Sequence, residues 1–255
     1  MMILLALFGG MALLLYGIRL SGDSLQRAAG GRLRHLLTGL ARNRLLAVVS
    51  GATATLIIQS SAATTLMLIG FVSAGLMTFR QTLGVILGAD IGTTFTVQLI
   101  AFKITDYALL LVGVGFVITL IAQRRVLKDV GSALLGFGLM FLGLKLILDG
   151  VQPLQTDPLA RQLLAVVGDN PMLAVLVAAG FSALVTSSAA TIGLALALAH
   201  QGLLSLGGAV AIVLGANVGT CFTALMASMG TTAEAKRVAA AHIAFKFLGV
   251  ALVLP

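Results

Sequence analysis

The chain reads as an all-α membrane protein made of two inverted-topology repeats, each with three membrane-spanning helices and one re-entrant helical hairpin. Three observations predict this. The 255 residues are 59% hydrophobic and 9% charged, with a mean hydropathy of +1.12, whereas soluble domains carry roughly 25% charged residues. Apolar stretches recur along the whole length, long enough as helices to cross a hydrocarbon core of about 30 Å. A polar string, SSAAT, stands at Ser60–Thr64 and again at Ser187–Thr191 inside otherwise oily sequence.

The duplication is in strict register. Each SSAAT is followed by a GA(D/N)xGTxFT string, Gly88–Thr96 and Gly215–Thr223, and both pairs are 127 residues apart. From Ser60 to Thr96, 14 of 37 positions match their partners, Gly75-Leu76 and Gly202-Leu203 among them. Upstream, Arg34-x-Leu36-Leu37 matches Arg161-x-Leu163-Leu164 and Asn43 matches Asn170; LYGIRL (Leu15–Leu20) resembles LGLKL (Leu142–Leu146) after a one-residue slip. The repeats therefore cover residues 1–128 and 129–255. A polar cluster doubled within a membrane protein builds one site from two halves, as in secondary transporters.

Each half divides into five apolar segments. The first half has Met2–Leu20, Leu45–Ile58, Ala62–Met77, Thr82–Phe102 and Tyr107–Ala122. The second has Ser132–Leu148, Met172–Val185, Ala189–Ala199, Leu206–Met229 and Val238–Leu254. Irregular backbone cannot face lipid, so these are helices, and the 30 glycines suit close helix packing. The second and third segments of each half are too short to span and join through the Ser-Ser pair with no turn loop. They are read as hairpins over 45–77 and 172–199, with the SSAAT strings at their tips.

Charge supplies the orientation. The net charge of +8 is gathered at segment ends: Arg19, Arg27, Arg32, Arg34, Arg42 and Arg44, then Arg124, Arg125 and Lys128, then Lys236 and Arg237. These are juxtamembrane clusters assigned to the cytoplasm, with anionic lipid as their partner and no role for nucleic acid. Each half crosses an odd number of times, which inverts one half against the other. The repeat partner of the first basic loop agrees, because it mixes Lys145 and Arg161 with Asp149, Asp157 and Asp169. The N-terminus is expected outside. Met1–Leu20 lacks the basic leader and cleavage pattern of a signal peptide. Cys221 stands alone and cannot form an internal disulfide. The apolar ending at Val-Leu-Pro255 reads as a truncation.

Two hairpin tips from inverted halves are expected to meet near the midplane. The first offers Thr55, Gln59, Ser60, Ser61, Thr64 and Thr65, and the second Ser182, Thr186, Ser187, Ser188 and Thr191. Where a helix starts at such a tip, free N–H groups and the positive dipole end hold an anion without a fixed cation. No Lys or Arg lies within either tip sequence. The GADIGTTFT and GANVGTCFT strings are expected to interrupt the fourth segments, with Gly88, Gly92, Gly215 and Gly219 permitting unwinding. Thr93, Thr96, Thr220 and Thr223 supply oxygens there. Asp90, a carboxylate inside a membrane helix, must face protein, water or an ion, and its partner is the isosteric, neutral Asn217. His200 and the i, i+4 pair His242/Lys246 read as packed or interfacial groups, and Lys103 with Asp106 as a solvated loop.

With Gln59-Ser60-Ser61 followed by Ala-Ala-Thr-Thr, and its half-match at 186–191, the chain resembles the sodium/phosphate cotransporter family, which includes bacterial Na/Pi cotransporters and the animal type II transporters. That family repeats a QSSS string in two inverted re-entrant hairpins, each followed by a GAN(I/V)GTT-like string. The resemblance implies phosphate held between the tips by Gln59, Ser60, Ser61, Ser187 and Ser188, and Thr186, at the matching place in the second tip, is expected to join them. The resemblance also implies sodium nearby on Gln59, Thr220 and Thr223, joined by Asn217; Asp90, read from its own carboxylate as a cation ligand or else a helix cap, is added to that set. Here Ala62 and Ala189 stand where the family has a third Ser, and Thr186 where it has a second Gln. Bacterial relatives often continue into further membrane sequence and a PhoU-like domain.

The expected function is sodium-coupled symport of inorganic phosphate by alternating access in a bacterial inner membrane. It needs no cofactor beyond Na⁺ as the co-transported ion, involves no catalysis, and allows a homodimer. Two other readings compete: an intramembrane serine hydrolase using His200 or His242 as base, and a non-transporting oxyanion sensor of the same fold.

Overall fold

The structure is a computed structural model that describes residues 2–41, 43–102 and 104–254. Arg42, Lys103 and Pro255, singled out above, lie outside the described residues. Among those described there are thirteen α-helices, two short 3-10 turns and no strand.

The first half comprises α1 (Met2–Ala29), α2 (Arg32–Leu40), α3 (Arg44–Ile58), α4 (Ser61–Ser73), α5 (Phe79–Ala101) and α6 (Ala108–Ile121). The second comprises α7 (Arg125–Val151), α8 (Pro158–Gly168), α9 (Pro171–Val185), α10 (Ser188–His200), α11 (Leu206–Gly219), α12 (Cys221–Ser228) and α13 (Ala233–Val253). All ten expected segments are helical. Ile3–Ala29, Phe79–Ala101, Arg125–Gln155 and Leu206–Ser228 are long and apolar enough to cross a membrane. The bent pair α8–α9, which turns through 101°, makes a fifth candidate. Helix α13 is long enough but carries Lys236, Arg237 and Lys246.

Two helices were not expected. The stretches read as basic and mixed loops fold as α2 and α8, at matching places in the repeats. In α2, Leu33 and Leu37 are four apart and buried, while Arg32 and Arg34 face out. That spacing is a one-face helical pattern, hidden in sequence by the arginines between the leucines.

The hairpins repeat each other in detail. Asn43 and Asn170 cap the first arms, their side chains accepting the Leu45 and Leu173 N–H groups. The second arms close on Gly75 and Gly202, at φ 71° and 69°. In both, the following leucine N–H reaches back to a carbonyl in the last turn, Leu76 to Phe71 and Leu203 to Leu198. This is the six-residue closure that a left-handed glycine permits.

The expected interruption of the fourth segments holds only in the second half. Helix α5 runs unbroken through GADIGTTFT, whereas the second copy breaks at Thr220, between α11 and α12. The glycines serve packing instead. A Cβ on Gly88 would run into the Val48 carbonyl of α3, and one on Gly215 into the Val175 carbonyl of α9. Gly92 and Gly219 meet the Ala52 and Ala179 carbonyls likewise. Small residues allow this backbone approach, and a helix that keeps its own ladder gains nothing by unwinding.

The halves are interleaved. One core joins Ala54, Ile58 and Leu68 of the first hairpin to Ala224, Val238 and Ala239 of α12 and α13. The other joins Ala189, Ala190 and Ala197 of α10 to Leu14 of α1 and Met140 and Ile147 of α7. Helices α1 and α7, equivalent in the repeat, pack closely: Gly10 lies against Gly143, Gly17 against Gly136 and Met140. At the far end Arg27 donates to Asp129 at 3.0 Å. Residue numbers rise along α1 as they fall along α7, so the two helices run antiparallel.

Candidate functional site

The joints of the two hairpins have one backbone geometry. Gln59 and Thr186 end α3 and α9 in the left-handed region, at φ 60° and 55°, the only non-glycine residues so placed among those described. Ser60 and Ser187 follow in extended conformation, at φ −150° and −147°. Each serine caps the helix it precedes, its Oγ accepting the Ala63 or Ala190 N–H at 3.1 and 3.2 Å. Such a cap stabilises a helix by about 1 kcal/mol. Thr64 and Thr191 hydroxyls donate back to the Ser60 and Ser187 carbonyls, both at 3.1 Å.

The tips open onto one cavity of about 180 Å³, room for roughly six waters at about 30 Å³ each, or for a tetrahedral oxyanion with a few. Five repeat-related pairs line it: Gln59 with Thr186, Ser60 with Ser187, Ser61 with Ser188, Ala62 with Ala189, and Thr93 with Thr220. Helices α4 and α10 both begin here. The Ser61, Ala62, Ser188 and Ala189 N–H groups lie in first turns, where no preceding helical carbonyl exists to accept them. The capping serines use their oxygens as acceptors, which leaves each O–H free to donate. The cavity thus collects donors and two positive helix ends, the requirements of an anion site.

The remaining wall is α1, with Arg19, Gly22, Asp23 and Gln26. Arg19 extends its guanidinium to the Thr186 hydroxyl at 3.2 Å, which corrects the expectation of an anion site without a fixed cation. The clue in sequence was weak: Arg19 sits at the end of the first apolar segment and looks like any juxtamembrane arginine. Ser21 donates to the Gln59 amide oxygen at 3.2 Å. Gly22 allows α1 to rest against the first tip, since a Cβ there would sit 2.5 Å from the Ile58 carbonyl.

The expected cation ligands divide. Gln59 and Thr220 line the cavity. Thr223 does not; its hydroxyl donates to the Thr220 carbonyl at 2.7 Å, and Thr220 in turn donates to the Asn217 carbonyl at 2.7 Å. Asp90 and Asn217 lie one turn before Thr93 and Thr220 and both face Lys246, whose Nζ is 2.7 Å from Asp90 Oδ1 and 2.9 Å from Asn217 Oδ1. Thr96 has a buried hydroxyl without a partner. Thr55 bonds across its hairpin to Thr64 at 2.8 Å. Its counterpart Ser182 instead donates to the Ala216 carbonyl at 2.8 Å, an acceptor left over where the Thr220 N–H turns to Val218.

Neither His200 nor His242 is among the cavity-lining residues. His242 is fully buried, with Nδ1 3.3 Å from the Thr65 hydroxyl. His200 lines a separate pocket beside Phe102. A serine nucleophile needs a base within hydrogen-bond reach, and the tips have none from histidine.

Comparison with known proteins gives the family. The sequence model described as Na+/Pi-cotransporter matches twice, over residues 13–149 and again over 146–254. The chain belongs to the Na+/Pi-cotransporter family. Among its family relatives, "Uncharacterized protein YqeW" of Bacillus subtilis (strain 168) is 37% identical over 199 residues, 78% of this chain and 64% of the relative. "Putative inorganic phosphate export protein YjbB" of Salmonella typhimurium (strain LT2) is 31% identical over 255 residues, all of this chain and 47% of the relative. The protein of the same name in Escherichia coli (strain K12) matches to the same extent. The chain thus spans about half to two thirds of the length of these curated relatives. No solved structure matches it.

Proposed function

We propose that this Na+/Pi-cotransporter family member moves inorganic phosphate across a bacterial inner membrane by alternating access, coupled to sodium. One observation carries the reading: two serine-tipped helix starts, built alike at an offset of 127 residues, face each other across one small polar cavity. In this reading phosphate sits between the tips. It accepts hydrogen bonds from the hydroxyls of Ser60, Ser61, Ser187 and Ser188, from the N–H groups that start α4 and α10, and from the Gln59 amide. Arg19 and Thr186 close the α1 side.

Sodium is proposed beside the anion, on the oxygens of Gln59 and Thr220 that line the cavity, with Thr223 behind Thr220 and Asp90 and Asn217 one turn earlier on α5 and α11. Its charge offsets the anion's and leaves the site releasable once the ion departs. The antiparallel packing of α1 on α7 supports an inverted pair of repeats, the arrangement in which rocking one half against the other exposes a shared site to either side. Import and export are the same cycle run in opposite directions. An inward sodium gradient drives uptake, and each net charge moved adds about 2.3 kcal/mol per 100 mV.

The test is radiolabelled phosphate flux in proteoliposomes under imposed sodium gradients. The expected result is flux that follows the sodium gradient and reverses with it. Equal rates with potassium in place of sodium would remove the coupling, and absence of phosphate flux under every gradient would remove the reading.

A further inference from the structure

Lys246 is the most deeply buried charged side chain of α13, 6% exposed, and its ammonium spans two helices. Its two close partners, Asp90 on α5 and Asn217 on α11, are the same residue of the two repeats, 127 positions apart. Each precedes by three residues a threonine that lines the anion cavity, Thr93 or Thr220, about 4.5 Å along a helix axis. The other polar groups nearby are the Thr65–His242 pair a turn away and Cys221 at the start of α12. A carboxylate and an amide oxygen from opposite halves, converging within hydrogen-bond distance of one point, form an oxygen site for a monovalent cation. In this chain a lysine fills that point.

We infer that the Lys246 ammonium is a resident, tethered cation at a latent alkali-ion site made by Asp90 and Asn217. This deepens the transport reading and rests on it: sodium then enters only on the cavity side, at Gln59 and Thr220, while Lys246 holds Asp90 neutralised in every state of the cycle. A free ion beside the ammonium meets a like charge and an acidic partner already paired, so the chain couples to one sodium fewer than it would with this position open. The covalent tether supplies the charge that would otherwise arrive from solution.

The experiment uses the whole chain in lipid nanodiscs and proteoliposomes, with sodium compared against N-methylglucamine at equal ionic strength. Lys246→Ala leaves the Asp90 charge unpaired. Asn217→Asp keeps the lysine and the side-chain volume but adds a second carboxylate. Both leave the cluster one positive charge short of neutral, so each is expected to show a sodium-dependent rise in thermal stability larger than the wild type's, and sodium dependence of phosphate uptake steeper by one ion. The neutral pair Asp90→Asn with Lys246→Met is expected to show no such gain, which separates site binding from a general salt effect. Variants that fold but respond to sodium as the wild type does would overturn the inference. Should Lys246→Ala fail to fold, Asn217→Asp decides alone. The thermal arm reads the cation site even if no phosphate moves, so failure of the transport reading is told apart from failure of this one.

Discussion

Gln59 and Thr186 hold the same left-handed backbone position, φ 60° and 55°, at the ends of two helices 127 residues apart. Each turns its chain so that the next residue, a serine, caps a new helix pointing at a common cavity. For a β-branched residue this conformation is strained, at a cost on the order of 1–3 kcal/mol. Strain kept at the joint of a polar tip fits a position selected for its side chain.

Thr186→Gly is therefore expected to raise thermal stability while lowering phosphate flux. Glycine relieves the left-handed strain but adds unfolded-state entropy, leaving a net gain of about 1 kcal/mol. It also removes the hydroxyl that accepts from Arg19. Differential scanning fluorimetry with a parallel flux assay checks both halves; a loss of stability would show that the hydroxyl outweighs the strain.

Arg19 is exposed and touches the site through a single hydrogen bond, so changing it should leave the fold intact. Arg19→Gln is expected to raise the KM for phosphate roughly tenfold, the equivalent of a charged hydrogen bond worth about 1.4 kcal/mol. Arg19→Lys should recover part of it. An unchanged KM in both variants would mean that the guanidinium stays on Thr186 and never meets the anion.

The serines at each tip should separate by role. Ser60 is a cap and Ser61 the first helical residue. Ser60→Ala is expected to cost about 1 kcal/mol of stability as well as flux, whereas Ser61→Ala should reduce flux with little change in melting temperature. Ser187→Ala and Ser188→Ala should repeat the pattern. Melting curves of the four variants check it, and identical losses at both serines of a tip would contradict the capping assignment.

Glycine substitutions test the packing. Gly88→Ala and Gly215→Ala place a methyl group against the Val48 and Val175 carbonyls and are expected to reduce folded yield. Gly70→Ala in α4 meets nothing within 4 Å and should be neutral or stabilising by roughly 0.5–1 kcal/mol. Size-exclusion profiles of the three variants give the comparison.

Much of this protein could be read along the chain, because the evidence for it is linear. Membrane helices announce themselves by apolar length, the repeat by a constant offset, and the hairpin joints by a polar pair where two apolar runs meet without a loop. The joints appear where SSAAT placed them, and the Asn and Gly residues that frame each hairpin were already matched pairs in sequence. The unbroken α5 was not legible. Glycines in GADIGTTFT are equally compatible with unwinding and with close approach, and only the Val48 and Ala52 carbonyls of α3 decide between the two.

The amino-acid sequence by itself determined the membrane class, the duplication and which residues stand at the two tips, since these depend on composition and local spacing. Only the tertiary structure decided what meets them. Arg19 reaches Thr186 across 167 positions, and α13 delivers Lys246 to Asp90 and Asn217 from a segment whose sequence showed only an i, i+4 partner for His242. Charges in a membrane protein find partners by how helices cross, and helix crossing is set by the surface relief of glycines and apolar side chains on several elements at once, which no single stretch of sequence contains.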